Sequence, residues 1–191
     1  MVDTFEEWVE KILEEEGGFV DLEDDKGGAT NLGVTIPILE QFRKSNCDRD
    51  DIEDLTPDEA RQIYKDLFWD KARLDELPAD IRSYYADMTV NMGHGGAGKI
   101  LQMSCNTKQF PNDDEKWIAV DGLVGPNTIR AVGAAGIDLV DVVCERLVFL
   151  VNNILMGSRY AKRTRQNRFI RGWIRRAIRP FLEAWQQVNN G

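Results

Sequence analysis

Histidine is almost missing. His94 is the only one in 191 residues, so a Ser–His or Cys–His nucleophile scheme would have to run through it. It sits in NMGHGGAG, and the glycines around it point to a loop histidine rather than an organised base. Cysteine is scarce as well. Cys47, Cys105 and Cys144 form no close pair, an odd count cannot all be bridged within the chain, and no spacing suits zinc. They read as buried or free thiols of a protein made in a reducing compartment. Long apolar runs are lacking. The longest, Leu147 to Met156, is short and broken by Asn152-Asn153, which excludes a membrane span. A basic-then-apolar leader is also lacking, since Met1-Val2-Asp3 leads into an acidic amphipathic segment, and no export signal is expected. There is no internal repeat and no low-complexity segment.

What is abundant is acid, unevenly placed. Residues 1–145 carry 14 Lys/Arg against 32 Asp/Glu, whereas residues 146–191 carry 10 Lys/Arg and only Glu183. The result is an acidic body followed by a basic segment.

Helical periodicity dominates the rest. Phe5, Trp8, Val9, Ile12 and Leu13 recur at helical spacing behind Thr4-x-x-Glu7, a capping-box start, and the helix should stop at Gly17-Gly18. From there to Thr35 the period is lost, and short pieces at Phe19-Val20 and Gly33-Val34-Thr35 predict a small hairpin or irregular sheet. Further helices are expected from Ile36 to about Lys44, from Thr56-Pro57-Asp58-Glu59 onward, and from about Pro78 to Met92. The run GHGGAG should then break the chain before KILQMSCN resumes. A loop with turns at Pro111-Asn112 and Asp121-Gly122 follows, then helices from Pro126, Asp138 and about Gln166. The last is two-sided, with Phe169, Ile170, Trp173, Ile174, Ile178 and Leu182 on one stripe and Arg168, Arg171, Arg175 and Arg179 on the other. Pro180 ends or kinks it.

The stretch EEEGGFVDLEDDKGGATNLGVT, Glu14 to Thr35, concentrates both acids and glycines. A calcium loop fails, because the sixth position would be Lys26 instead of Gly and the twelfth Leu32 instead of Glu. A phosphate loop fails too, since no Lys-Ser/Thr follows Gly27-Gly28. A carboxylate pair remains. Glycosidic cleavage needs an acid to protonate the leaving oxygen, usually with a second carboxylate to activate water or stabilise positive charge on the sugar. Glu16, at the negative pole of a helix beside apolar residues, should keep its proton near neutral pH. A returning hairpin would set Asp25 and the Thr30 hydroxyl across a cleft, with Gly27 and Gly28 allowing a tight turn and close approach of a sugar. On residues alone, this pair stands beside the alternative of a solvated acidic loop.

EGGF followed by D-x-GG-A-T-N-x-G-V-T resembles the signature of glycoside hydrolase family 108, whose members are N-acetylmuramidases, many of them phage endolysins. VNMGHGGAGKILQ, VDGLVGPNTIRAV and FIRGWIRRA resemble the peptidoglycan-binding module that usually follows. The resemblance implies a mainly α, lysozyme-like fold with a small β-hairpin in the N-terminal lobe. A catalytic lobe, residues 1–88, would be packed as one compact unit with a helical peptidoglycan-binding lobe, residues 89–191. It implies hydrolysis of the β-1,4 bond between N-acetylmuramic acid and N-acetylglucosamine, with Glu16 as the acid and Asp25, aided by Thr30, handling the water or the oxocarbenium-like state. Two positions depart from the family pattern: Lys26 replaces a proline beside Asp25, and Phe19 stands where tyrosine is common. Gly28, Phe19, Asn31, Tyr85 and Asn91 are the expected substrate-contacting residues. Asp24 competes with Asp25, and Trp69, Tyr84 and Tyr85 are either cleft aromatics or core. No metal or cofactor is expected. The expected partner is the glycan strand of peptidoglycan, with no nucleic acid and no obligate membrane contact, bound by a monomer. An endolysin of this kind would be made in the host cytoplasm and reach the wall through a membrane lesion. A lytic transglycosylase, a non-catalytic wall-binding or virion protein, and an acidic calcium module are the alternatives.

Overall fold

Thr4 opens the first helix by accepting the Glu7 amide on its hydroxyl at 3.2 Å, as a Thr N-cap does. Helix α1 runs Phe5–Glu16 and ends where Gly17 takes a positive φ of 72°. The computed structural model describes residues 4–20, 29–160 and 177–180, without the side chains of Glu16 and of residues 153–160. They fall into two compact units, Met1–His94 and Gly95–Gly191.

In the first unit an aromatic cluster seats α1. Trp8 is buried and meets Tyr64 edge-on at 5.8 Å and Trp69 at 5.5 Å, while Phe5 also meets Trp69 edge-on at 5.6 Å. Such tilted and edge-on geometries match the ring quadrupoles. Tyr64 closes helix α4, Pro57–Tyr64, whose start follows the expected pattern, with Thr56 accepting the Glu59 amide at 3.2 Å. The helix then widens into a π segment, Lys65–Asp70, which carries Trp69 into the core, where its indole N–H donates to Asp75 at 2.9 Å.

The expected hairpin is present and minimal. Strand β1, Thr30–Asn31, pairs antiparallel with β2, Val34–Thr35. Leu32 and Gly33 between them both have positive φ, 52° and 74°, as a tight two-residue hairpin turn requires. Thr35 then starts α2, Ile36–Arg43, with Pro37 in its first turn. A five-residue helix, α3 at Arg49–Glu53, is not anticipated by periodicity. Its signal is the pair Asp48 and Asp51, which form a reciprocal capping box. Arg43 binds α2 to α3 and α4, with a bidentate pair to Glu59 at 2.8 and 2.9 Å and a bond to Asp51 at 2.7 Å.

The GHGGAG run corrects the sequence-based expectation. Helix α5 spans Ala79–Gln109, and the only non-helical residue inside it is Gly93, with φ 75° and ψ 161°. His94 and the three glycines after it are helical. At Gly98 the glycine serves a close contact. A Cβ on Gly98 would lie 2.3 Å from the Gly122 carbonyl oxygen, and one on Gly122 would lie 2.5 Å from the Gly95 carbonyl oxygen. Gly98 and Gly122 let the backbone of the second half of α5 touch the Asp121–Gly122 turn.

The second unit is built around that contact. Helix α6, Pro126–Ala135, starts with Pro126 in its first turn and ends at Gly136 in the left-handed conformation, the usual proline-start, glycine-stop arrangement. Helix α7, Leu139–Tyr160, is capped by Asp138 and Asp141, each accepting the other's backbone amide at 3.1 and 2.9 Å. Ile100, Leu101, Cys105, Val132, Ile137, Val142 and Val143 form the core. Most of the helix expected from Gln166, with its apolar and arginine stripes, lies outside the described residues. Ala177 is buried, and a turn at Ile178 interrupts the helix just before Pro180. All three cysteines are free thiols, and burial pushes the Cys105 thiol up to about 12. Among the described residues no helix is long and apolar enough to cross a membrane.

Candidate active site

Glu16 is the last helical residue of α1. The chain leaves it through Gly17-Gly18 and makes an isolated bridge at Val20, whose amide donates to the Thr30 carbonyl at 2.8 Å and whose carbonyl accepts the Thr30 amide at 2.9 Å. The bridge therefore brings Thr30 to Val20, four residues after Glu16. Asp25 and its rival Asp24, with Gly27 and Gly28, lie outside the described residues. Thr30 itself is half-buried.

The hairpin is fixed from the core. The Tyr64 hydroxyl donates to the Leu32 carbonyl at 3.1 Å, at a residue whose positive φ is unfavourable for a branched side chain. Asn31, only 7 % exposed, donates its amide to the carbonyls of Ile52 and Glu53 at 3.0 and 3.3 Å, with Leu55 at 3.5 Å. Its amide thus ties β1 to the end of α3 and satisfies backbone oxygens that burial would otherwise strand. Asn31→Ala should therefore cost about 1–3 kcal/mol, the usual penalty for orphaning buried acceptors. Urea denaturation checks this, and an unchanged midpoint would remove Asn31 from the support of the hairpin.

The other expected contact residues are scattered. Phe19 is half-buried, with the Arg49 guanidinium 5.1 Å above its ring, a cation–π arrangement. Tyr85 is 1 % exposed, a core residue whose hydroxyl is pushed above its usual pKa by burial. Trp69 and Tyr84 are buried as well. Asn91 is exposed, its amide donating to the Asp87 carbonyl at 2.7 Å. His94 is held by the Leu67 carbonyl at 2.7 Å and stacks on Phe68 at 5.9 Å, and burial pulls its pKa below the usual range. Its place is thus a packed helix start rather than the expected loop. Tyr64 and Leu32 are the supporting residues that sequence reasoning missed. Only a Leu-Gly pair between two short β-prone pieces hinted at the strained turn.

Residues 9–93 match the glycosyl hydrolase 108 family, and residues 98–178 match a predicted peptidoglycan domain. The chain carries a glycosyl hydrolase 108 domain followed by a predicted peptidoglycan-binding domain. It is similar to the solved structure of Brucella abortus SagA, with 25 % identity over 91 % of this chain and 93 % of that one and a TM-score of 0.66. No curated protein matches. The glycosyl hydrolase 108 domain contains α1 from Val9 onward, the Val20–Thr30 bridge, the hairpin and Gly93. The peptidoglycan domain contains Gly98, the Asp121–Gly122 turn and α6. Glycoside hydrolysis is the chemistry of the first domain, and peptidoglycan is the ligand suggested by the second.

Proposed function

We propose that the protein is an endolysin-type lysozyme, an N-acetylmuramidase that hydrolyses the β-1,4 bond between N-acetylmuramic acid and N-acetylglucosamine. The observation that carries this is the end of α1 at Glu16, inside the glycosyl hydrolase 108 match, with Thr30 brought back four residues beyond it by the Val20 bridge. Glu16 protonates the glycosidic oxygen from the negative pole of its helix, where the charged form is disfavoured. Asp25, with the Thr30 hydroxyl, positions water or supports the oxocarbenium-like state. Phe19, Gly28 and Asn91 are the proposed sugar contacts of this site. The protein acts as a monomer without metal or cofactor. It is made in the host cytoplasm and meets the wall through a separately made membrane lesion.

Product analysis on purified sacculi tests the chemistry. Reducing N-acetylmuramic ends support hydrolysis, and anhydromuramic ends would make the enzyme a lytic transglycosylase. Asp25→Asn should lower turnover roughly 10²-fold, at the lower end of the range for a positioned acid–base group, and Asp24→Asn should do less. The reverse order in the same turbidity assay transfers the second role to Asp24. Expression in bacteria with and without an induced membrane lesion tests the cellular setting, with lysis expected only when the lesion is present.

A further inference from the structure

The peptidoglycan-binding domain holds an open cavity of about 610 Å³ between the Asp121–Gly125 turn and one face of α6. That face presents Asn127, Arg130, Ala131 and Ala134 at i, i+3, i+4 and i+7, the spacing of a single helical stripe. Val132, off this stripe, is buried in the core, and the buried Thr128 lies at the cavity wall. The cavity is held open by Gln102, 2 % exposed. Its amide donates to Asp121 at 2.8 Å and to the Leu123 carbonyl and Thr128 hydroxyl at 3.3 Å each, while its carbonyl accepts the Gly122 amide at 2.8 Å. The Gly98–Gly122 backbone contact clamps the same turn from below. The wall is therefore preorganised, and it leaves Leu123 74 % exposed at the rim.

The chemistry of the lining is specific. Among the described residues it holds no aromatic ring, the face on which sugars usually stack, and its apolar side chains are aliphatic. Among the same residues it carries one cation, Arg130, and one anion, Asp121. The Gln102 and Leu123 amides both donate to Asp121 Oδ1, which holds the carboxyl below its usual pKa. Arg130 is fixed along the stripe by Asn127, leaving the rest of its planar fork for a carboxylate. We infer that this cavity binds the stem peptide of peptidoglycan rather than its glycan, with Arg130 on a free carboxylate, Asp121 on an ammonium, and the Ala131, Ala134 and Leu123 surfaces against alanyl methyl groups. The inference rests on the proposed wall-directed function and narrows the ligand of its second domain to a short zwitterionic peptide of small residues.

The test uses the full chain and two probes: a free tetrapeptide stem carrying a diamino acid and a C-terminal D-alanine, and a peptide-free glycan tetramer. Calorimetry and amide chemical shifts report binding. The stem should bind and shift amides of the 121–134 segment, with affinity falling at least tenfold in Arg130→Ala and in Ala131→Trp. Both changes sit on an exposed or half-exposed helix face, and circular dichroism verifies the fold. Sacculus cleavage by the unmodified chain is measured alongside as a separate readout. Glycan binding to the 121–134 segment without stem binding, or equal stem affinity in wild type and Arg130→Ala, overturns the inference. Sacculus cleavage with no stem binding sinks it while leaving the muramidase reading intact. Stem binding without any cleavage supports it and sinks that reading instead.

Discussion

Glu16→Gln keeps the protein folded and lowers clearing of outer-membrane-stripped cells by about 10²–10⁴-fold, the contribution expected of a positioned general acid. The amide is nearly isosteric with the acid but has no proton to give to a leaving oxygen. Helix α1 does not need the carboxyl to end at residue 16, because Gly17 already takes the positive φ that stops it. The aromatic cluster that seats the helix lies about two to three turns upstream. Unchanged far-ultraviolet circular dichroism with lost turnover is therefore the expected pair of results. Turnover within a few-fold of wild type would take Glu16 out of the chemistry.

The second large effect is structural. Gly122→Ala should destabilise the peptidoglycan-binding domain by about 2–5 kcal/mol. A left-handed residue with a Cβ costs about 1–2 kcal/mol, and the methyl would press on the Gly95 backbone at 2.5 Å, where overpacking adds about 1–3 kcal/mol. Gly98→Ala carries the overpacking cost alone, about 1–3 kcal/mol, since only the Gly122 carbonyl stands in its way. Neither neighbour is the flexible end of a side chain, so neither can swing aside. Gly133→Ala is the control. It lies within α6, where an added Cβ meets nothing within 4 Å, and it should be neutral or mildly stabilising, since alanine favours helix over glycine. Thermal unfolding of the three variants orders them, and equal midpoints for Gly122→Ala and Gly133→Ala would mean the glycine contact carries no weight.

These cases show where local sequence is legible. The start of α1 at Thr4, its stop at Gly17 and the start of α4 at Thr56 were readable because caps act over three or four residues. The hairpin was readable as a loss of helical period bounded by glycines. GHGGAG was not, because the turn that requires Gly98 lies more than twenty residues downstream, at Gly122. Glycine's usual meaning as a breaker then points the wrong way, except at Gly93. Tyr85 was ambiguous for a related reason: an aromatic at helical spacing faces core or cleft, and only the packing around it decides. In the candidate site, position 16 was legible as a helix end. The supports from Tyr64 and Asn31 were not, since each reaches a backbone carbonyl more than twenty positions away.

The six-residue hairpin also bears on the order of assembly. Two strands of two residues cannot persist alone in water, and this turn additionally holds Leu32 at an unfavourable φ. Its register exists only after Ile52 and Tyr64 have arrived with α3 and α4 to receive Asn31 and Leu32. The hairpin is thus among the last parts to be organised on folding and the first to be released under stress. On gradual heating or in dilute denaturant, glycoside hydrolase activity should disappear before the helical signal does.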